Sequence, residues 1–198
     1  MTSRYPGRRV AHRTPPRLTD SIRGVKWAAD HHYRWIDVNA LPSQERTLHA
    51  QHGAPYGLAQ QGFLPKGDTR RVQDLTDAEL AALRSSDGYR VPIIEQIIQV
   101  CAEEQVNLEL EAKDHRWFTL AETWKPVAEA ALAAWGPTWQ DHLNGKVLTD
   151  LSGGLDYALA VCSAMHEATV PSIILPRRAA RMQRLDRPFI TFNHGGRV

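Results

Sequence analysis

At 198 residues the chain has the length of one domain, residues 1–198. Its 42% hydrophobic and 23% charged residues make an ordinary globular mix, which argues against a fibrous or disordered protein. With 24 basic and 22 acidic residues the net charge is only +2, too balanced to point to nucleic acid. Arginines do gather near both ends (Arg4, Arg8, Arg9, Arg13, Arg17; Arg177, Arg178, Arg181, Arg184, Arg187), a pattern read as solvated surface. The two cysteines, Cys101 and Cys162, sit in apolar helical patterns, so neither a disulfide framework nor a zinc site is expected. The opening Met1-Thr2-Ser3-Arg4-Tyr5-Pro6 lacks the apolar stretch of a signal peptide, and no apolar run reaches the roughly 18 residues that a membrane span needs; a cytoplasmic location is expected.

In chain order, a strand is expected at 9–13, a helix at 18–29, and strands at 35–41 and 47–52. Residues 53–69, rich in Gly, Pro and Gln, read as a long loop. Helices follow at 77–84, capped by Thr76, and at 93–104, then a strand at 106–113. The helix at 120–135 contains Pro126, which is expected to kink or divide it. A strand at 146–151, a helix at 155–168 and strands at 172–175 and 189–192 complete the pattern. Short apolar strands alternating with helices predict an α/β fold with parallel strands, one strand short of a full barrel.

In such a barrel the chemistry stands at the C-terminal ends of the strands. The polar residues there are concentrated: His12 and Arg13, then Asp37 and Asn39, then His52, then Glu111 and Lys113. Side chains two apart on a strand share a face, so Asp37 pairs in direction with Asn39, and Glu109 and Glu111 with Lys113. Oxygen donors in this pattern suit a hard divalent ion, Mg²⁺ or Ca²⁺, which would polarise a phosphate for attack. Two histidines, one neutral and one protonated, supply a base or nucleophile and an acid. Glu109 has the right parity but sits a step deeper and is expected to be structural; Asp37 and Glu111 have an alternative as partners in buried salt bridges. His49 competes with His52 for the catalytic place. Tyr56 and Phe63 are candidates for touching the alcohol portion of a substrate, while the tryptophans are expected mostly in packing roles.

The motifs, in order, resemble those of the glycerophosphodiester phosphodiesterase family. Val10-Ala11-His12-Arg13-Thr14 stands where the family has a strand ending His-Arg-Gly, and Ile36-Asp37-Val38-Asn39-Ala40 where it has Ile-Glu-Leu-Asp-Val. His52-Gly53 stands for His-Asp, and Glu111-Ala112-Lys113 for the Glu-x-Lys strand. Between them, Asp74-Leu75-Thr76-Asp77-Ala78-Glu79-Leu80 and Val91-Pro92-Ile93-Ile94-Glu95 match Asp-Leu-Thr-x-x-Glu-Leu and Ile-Pro-x-x-x-Glu. The resemblance covers residues 9–113; beyond it only the strand–helix rhythm matches, and the family's late tryptophan-bearing strand is not evident.

The resemblance implies a compact or truncated TIM-type (β/α) barrel that hydrolyses a small-molecule phosphodiester to an alcohol and glycerol 3-phosphate. It implies His12 and His52 as the catalytic pair, Asp37, Asn39 and Glu111 as metal ligands, and Arg13 and Lys113 on the phosphate. Asp37 replaces a glutamate, Asn39 an aspartate, Thr14 a glycine and Gly53 an aspartate, so the site lacks a formal charge at position 39. Two alternatives stay open. One is a sphingomyelinase D-like phospholipase forming a cyclic phosphate, in which the second histidine is likewise followed by glycine. The other is a weakened barrel used for binding.

Overall fold

The computed structural model describes residues 10–11, 18, 20–53, 57–149, 153–175 and 191–192. Seven strands form one sheet: β1 (Val10–Ala11), β2 (Trp35–Pro42), β3 (Leu48–Ala50), β4 (Asn107–Ala112), β5 (Leu143–Leu148), β6 (Ser172–Leu175) and β7 (Thr191–Phe192). The order is β1-β2-β4-β5-β6-β7, with β3 also paired to β2, and β1, β2, β4, β5 and β6 are parallel neighbours. Among the described residues the pairing does not carry β7 back to β1, so no closed barrel is formed by them. None of the described helices is long and apolar enough to cross a membrane.

Two strands depart from the expected parallel arrangement. β3 runs antiparallel to β2 because residues 43–47 turn the chain tightly, with the Ser43 N–H donating to the Thr47 carbonyl (2.9 Å) and Arg46 in the left-handed region (φ 72°). A parallel return needs a crossover of roughly a dozen residues or more, which this connection does not contain. β7 is antiparallel to β6, and the connection between them lies outside the described residues.

The helices are α1 (Ile22–Asp30), α2 (Asp77–Ala82), α3 (Ile94–Glu103), α4 (Ala121–Trp135) and α5 (Gly154–Glu167). Ser21 caps α1 through its hydroxyl, and Thr76 and Glu79 form a reciprocal capping box on α2. α4 runs unbroken through Pro126. Pro126 lacks the N–H that would reach the Glu122 carbonyl, but both residues are exposed, so water can take the missing donor's place.

Period-two alternation sets the two faces of the sheet. Ile36, Val38 and Ala40 of β2, Leu108, Leu110 and Ala112 of β4 and Leu143 and Val147 of β5 enter the main core, together with Ile97, Ile98, Trp124, Val161 and Met165 from the helices. Gly145 belongs to the same face: a Cβ there would lie 2.5 Å from the Met165 sulfur, so only glycine lets α5 approach β5 this closely. A second core joins Leu41, Leu58, Leu64, Val72, Leu75, Leu80 and Val91, which explains how the aperiodic segment after β3 is held without a helix or strand of its own.

Candidate active site

The opposite face of the three central strands carries two polar rows fixed by register. Asp37, Glu109 and Asn144 stand side by side, and one step further along so do Asn39, Glu111 and Lys146. The interstrand spacing of about 4.8 Å therefore brings carboxylates and an ammonium into contact without any loop having to close.

Lys146 stands at the centre and is 2% exposed. Its Nζ donates to Asp37 Oδ2 at 2.7 Å and pairs with Glu111 Oε2 at 2.7 Å and Glu109 Oε1 at 3.5 Å. Burial alone would lower its pKa, but the charges of Asp37, Glu109 and Glu111 outweigh it and hold the amine above the ordinary lysine range. Glu111 gives its other oxygen to the Lys113 ammonium.

Lys113 follows β4. Its carbonyl accepts from the Tyr157 hydroxyl of α5 (2.8 Å), and the Tyr157 hydroxyl oxygen in turn accepts from the His115 N–H (3.0 Å). Tyr157 thus fixes the backbone that aims Lys113. Burial pushes its phenol up to about 12, so it stays a neutral donor across the working range.

Asn39 turns toward Asp20, just before α1. Its backbone N–H reaches Asp20 Oδ1 at 2.7 Å, and its Nδ2 reaches Oδ1 at 2.9 Å and Oδ2 at 3.1 Å. Burial pushes the Asp20 carboxyl up to about 7 against the pull of these hydrogen bonds, and the neighbouring Asp37 charge adds to the rise.

His52, half-buried, follows β3. The Gln51 N–H donates to the Asn39 carbonyl (2.9 Å), tying the chain to β2 beyond the β3 pairing, and the Gln51 side chain accepts from the His52 N–H (2.9 Å). Burial and then the Lys113 charge lower the His52 pKa, while Glu111, the Gly53 backbone and Asp37 pull it up. Gly53 adopts φ 80°, a left-handed conformation that disfavours the aspartate expected there from the family motif. His49, by contrast, is buried and turned to α2, with Nε2 3.4 Å from Asp77 Oδ1.

Of the residues proposed from sequence, Asp37, Glu111 and Lys113 are linked directly or through Lys146, Asn39 lies in the same polar row, and the charges of Asp37, Glu111 and Lys113 act on His52. His12, Arg13 and Tyr56 lie outside the described residues, and Phe63 packs against the second core. Lys146 and Asp20 were missed. Asn144 and Lys146 share a parity opposite to Leu143, Gly145 and Val147, a signal hidden by starting the strand at Lys146. Nothing in the spacing marks Asp20.

The Mg²⁺ or Ca²⁺ expected at Asp37, Asn39 and Glu111 does not fit these side chains as they stand. Both oxygens of Glu111 and one of Asp37 are taken by ammonium groups, and the Asn39 amide is turned on Asp20. Among the described residues no three His, Cys, Asp or Glu side chains are grouped to hold a metal ion.

A cleft of about 220 Å³ is lined by Gln51 and Gly53, the neighbours of His52 in sequence, and by Leu41, Leu58, Arg70 and Arg71 among others.

No protein-family model matches the sequence, and a comparison with curated proteins finds no match. Solved structures do match in three dimensions. A Galdieria sulphuraria protein described as a candidate glycerophosphodiester phosphodiesterase is 18% identical with a TM-score of 0.59, over 80% of this chain and 58% of that one. A glycerophosphodiester phosphodiesterase from Parabacteroides distasonis is 16% identical with a TM-score of 0.56, over 83% and 62%. An Oleispira antarctica phosphodiesterase, solved with the product sn-glycerol-3-phosphate, is 14% identical with a TM-score of 0.50, over 83% and 65%. What is shared is the α/β fold with its largely parallel sheet. The chain spans less than two thirds of the length of each of these structures.

Proposed function

We propose that this chain carries the active-site face of a phosphodiesterase that cleaves glycerophosphodiesters to an alcohol and glycerol 3-phosphate. The observation that carries the reading is the gathering of His52, just beyond β3, with Glu111 and Lys113 at the C-terminal end of β4 and Asp37 on the same face of β2, on a fold shared with such enzymes. The product named for the Oleispira antarctica protein supports the substrate class. His52, its pKa lowered by burial and by Lys113, is neutral near pH 7 and acts as the base. It takes the proton from the attacking water as the water oxygen bonds to phosphorus. The bond from phosphorus to the alcohol oxygen then breaks, and His12 protonates that oxygen. Lys113 and Arg13 hold the phosphate oxygens, and the cleft beside Gly53 receives the alcohol.

The test is turnover of bis(p-nitrophenyl) phosphate and of a glycerophosphodiester, with the products resolved by phosphorus NMR. Glycerol 3-phosphate is expected; a cyclic phosphate identifies attack by the substrate's own hydroxyl, as in the sphingomyelinase D-like alternative, and no turnover of either substrate overturns the reading.

The pH profile checks the base. Because the neutral imidazole is the working form, kcat/KM should rise with pH through the His52 pKa and level off above it, with a midpoint below about 6.5. Lys113→Met removes the charge that disfavours the imidazolium, so the acid limb should move to higher pH while KM increases. A limb that stays in place, or moves down, rules out His52 as the base.

A further inference from the structure

We infer that Lys146 is a built-in cation: its ammonium takes the place of a divalent ion among Asp37, Glu109 and Glu111, and the site works without a metal. The inference concerns the site of the proposed phosphodiesterase, but its test is read without turnover.

The geometry is that of a counter-ion in a cage. An ammonium has three N–H donors, and three carboxylates from two neighbouring strands face Lys146 Nζ, at 2.7, 2.7 and 3.5 Å. The register that puts Lys146 of β5 beside Glu111 of β4, and Glu111 beside Asn39 of β2, is set by backbone pairing and not by a mobile side chain. The remaining Glu111 oxygen is held by Lys113. A divalent ion bound to Asp37 and Glu111 would sit against a buried ammonium, at 2% exposure, and would repel it in a medium where charges are poorly screened. Asn39 fits the same account. With a positive charge already supplied by the chain, a carboxylate at position 39 is not needed to hold a dication, and the amide instead serves Asp20. Lys146 is too deeply buried to touch a substrate. It acts by holding Asp37 and Glu111 in place and fixing the charge of the face on which Lys113 stands, so it is a positioning residue.

The decisive experiment is calorimetric titration of the chelator-stripped full chain with MgCl₂, CaCl₂ and MnCl₂. The wild type is expected to give no saturable one-to-one binding up to about 10 mM ion, well beyond the range of functional oxygen-ligand sites, and no ion-dependent rise in melting temperature. Saturable binding of one ion per chain overturns the inference. Lys146→Ser removes the ammonium and leaves the three carboxylates around an open space; it should bind at least one of these ions, with melting temperature rising as the ion is added. A folded Lys146→Ser that binds no ion better than the wild type also overturns it. Should that variant not fold, the wild-type titration alone decides. Absent phosphodiester turnover defeats the proposed function and leaves this result readable, whereas turnover that chelation abolishes defeats the built-in cation and leaves the function standing.

Discussion

His52→Ala is expected to lower phosphodiester turnover by about 10²–10⁴-fold, the usual contribution of a positioned general base, while the melting temperature changes little. His52 is half-buried, just beyond the end of β3. His49→Ala is the contrasting variant. That ring is buried against α2 and reaches Asp77, whose carboxylate also accepts from the Thr47 hydroxyl, so its loss should destabilise by about 1–3 kcal/mol and leave turnover within tenfold. Both variants are measured for kcat/KM and for thermal unfolding. A fall of less than tenfold at His52 removes it from the reaction. Loss of turnover at His49 with native stability would mean that the chain after β3 presents the other histidine.

The two histidines show how the sequence discriminates between neighbours and where it stops. Alternation along β2 and β4 made the shared face of Asp37, Asn39, Glu109 and Glu111 readable, because the intervening Ile36, Val38, Leu108 and Leu110 are plainly apolar. The same alternation on β5 was obscured: Gly145 has no side chain to mark the buried face, and with Asn144 before it the strand looked as though it began at Lys146. A boundary misplaced by three residues therefore concealed the central charge of the site. Asp20 was out of reach for a different reason. It meets Asn39 across 19 positions through a loop conformation with φ 53°, and neither periodicity nor local turn chemistry encodes that meeting. Helix capping, being local, was legible at Thr76, whereas the antiparallel return of β3 depended on the brevity of the 43–47 connection, which the alternation of strands alone does not weigh.

Asn39→Asp is expected to destabilise the chain most at high pH. The family resemblance implies position 39 only as a metal ligand that lacks a formal charge. In the structure the Asn39 amide donates to both oxygens of Asp20, so the substitution replaces those hydrogen bonds with two carboxyl groups about 3 Å apart, a separation at which both cannot remain ionised. Asp20 already stands at about 7 because of its burial, and a second carboxylate drives the pair higher still, so that it retains one shared proton near neutrality. The sign follows from the direction of the shift. A carboxyl whose folded pKa is raised contributes stability that is complete below the unfolded value and is lost as pH rises through the folded one. Wild type should therefore lose some stability between about pH 4 and pH 8 through Asp20, and Asn39→Asp should lose more, falling about 2–4 kcal/mol below wild type at pH 8. For a chain of this length that is a drop in melting temperature of about 5–15 °C. The exchange variant, Asp20→Asn with Asn39→Asp, re-creates one amide facing one carboxylate and should recover most of the loss, which separates charge repulsion from a simple steric effect. Thermal unfolding of the three proteins at pH 5 and pH 8 is sufficient. If Asn39→Asp is as stable as wild type at pH 8, the Asp20–Asn39 pair is not the contact that fixes this end of β2.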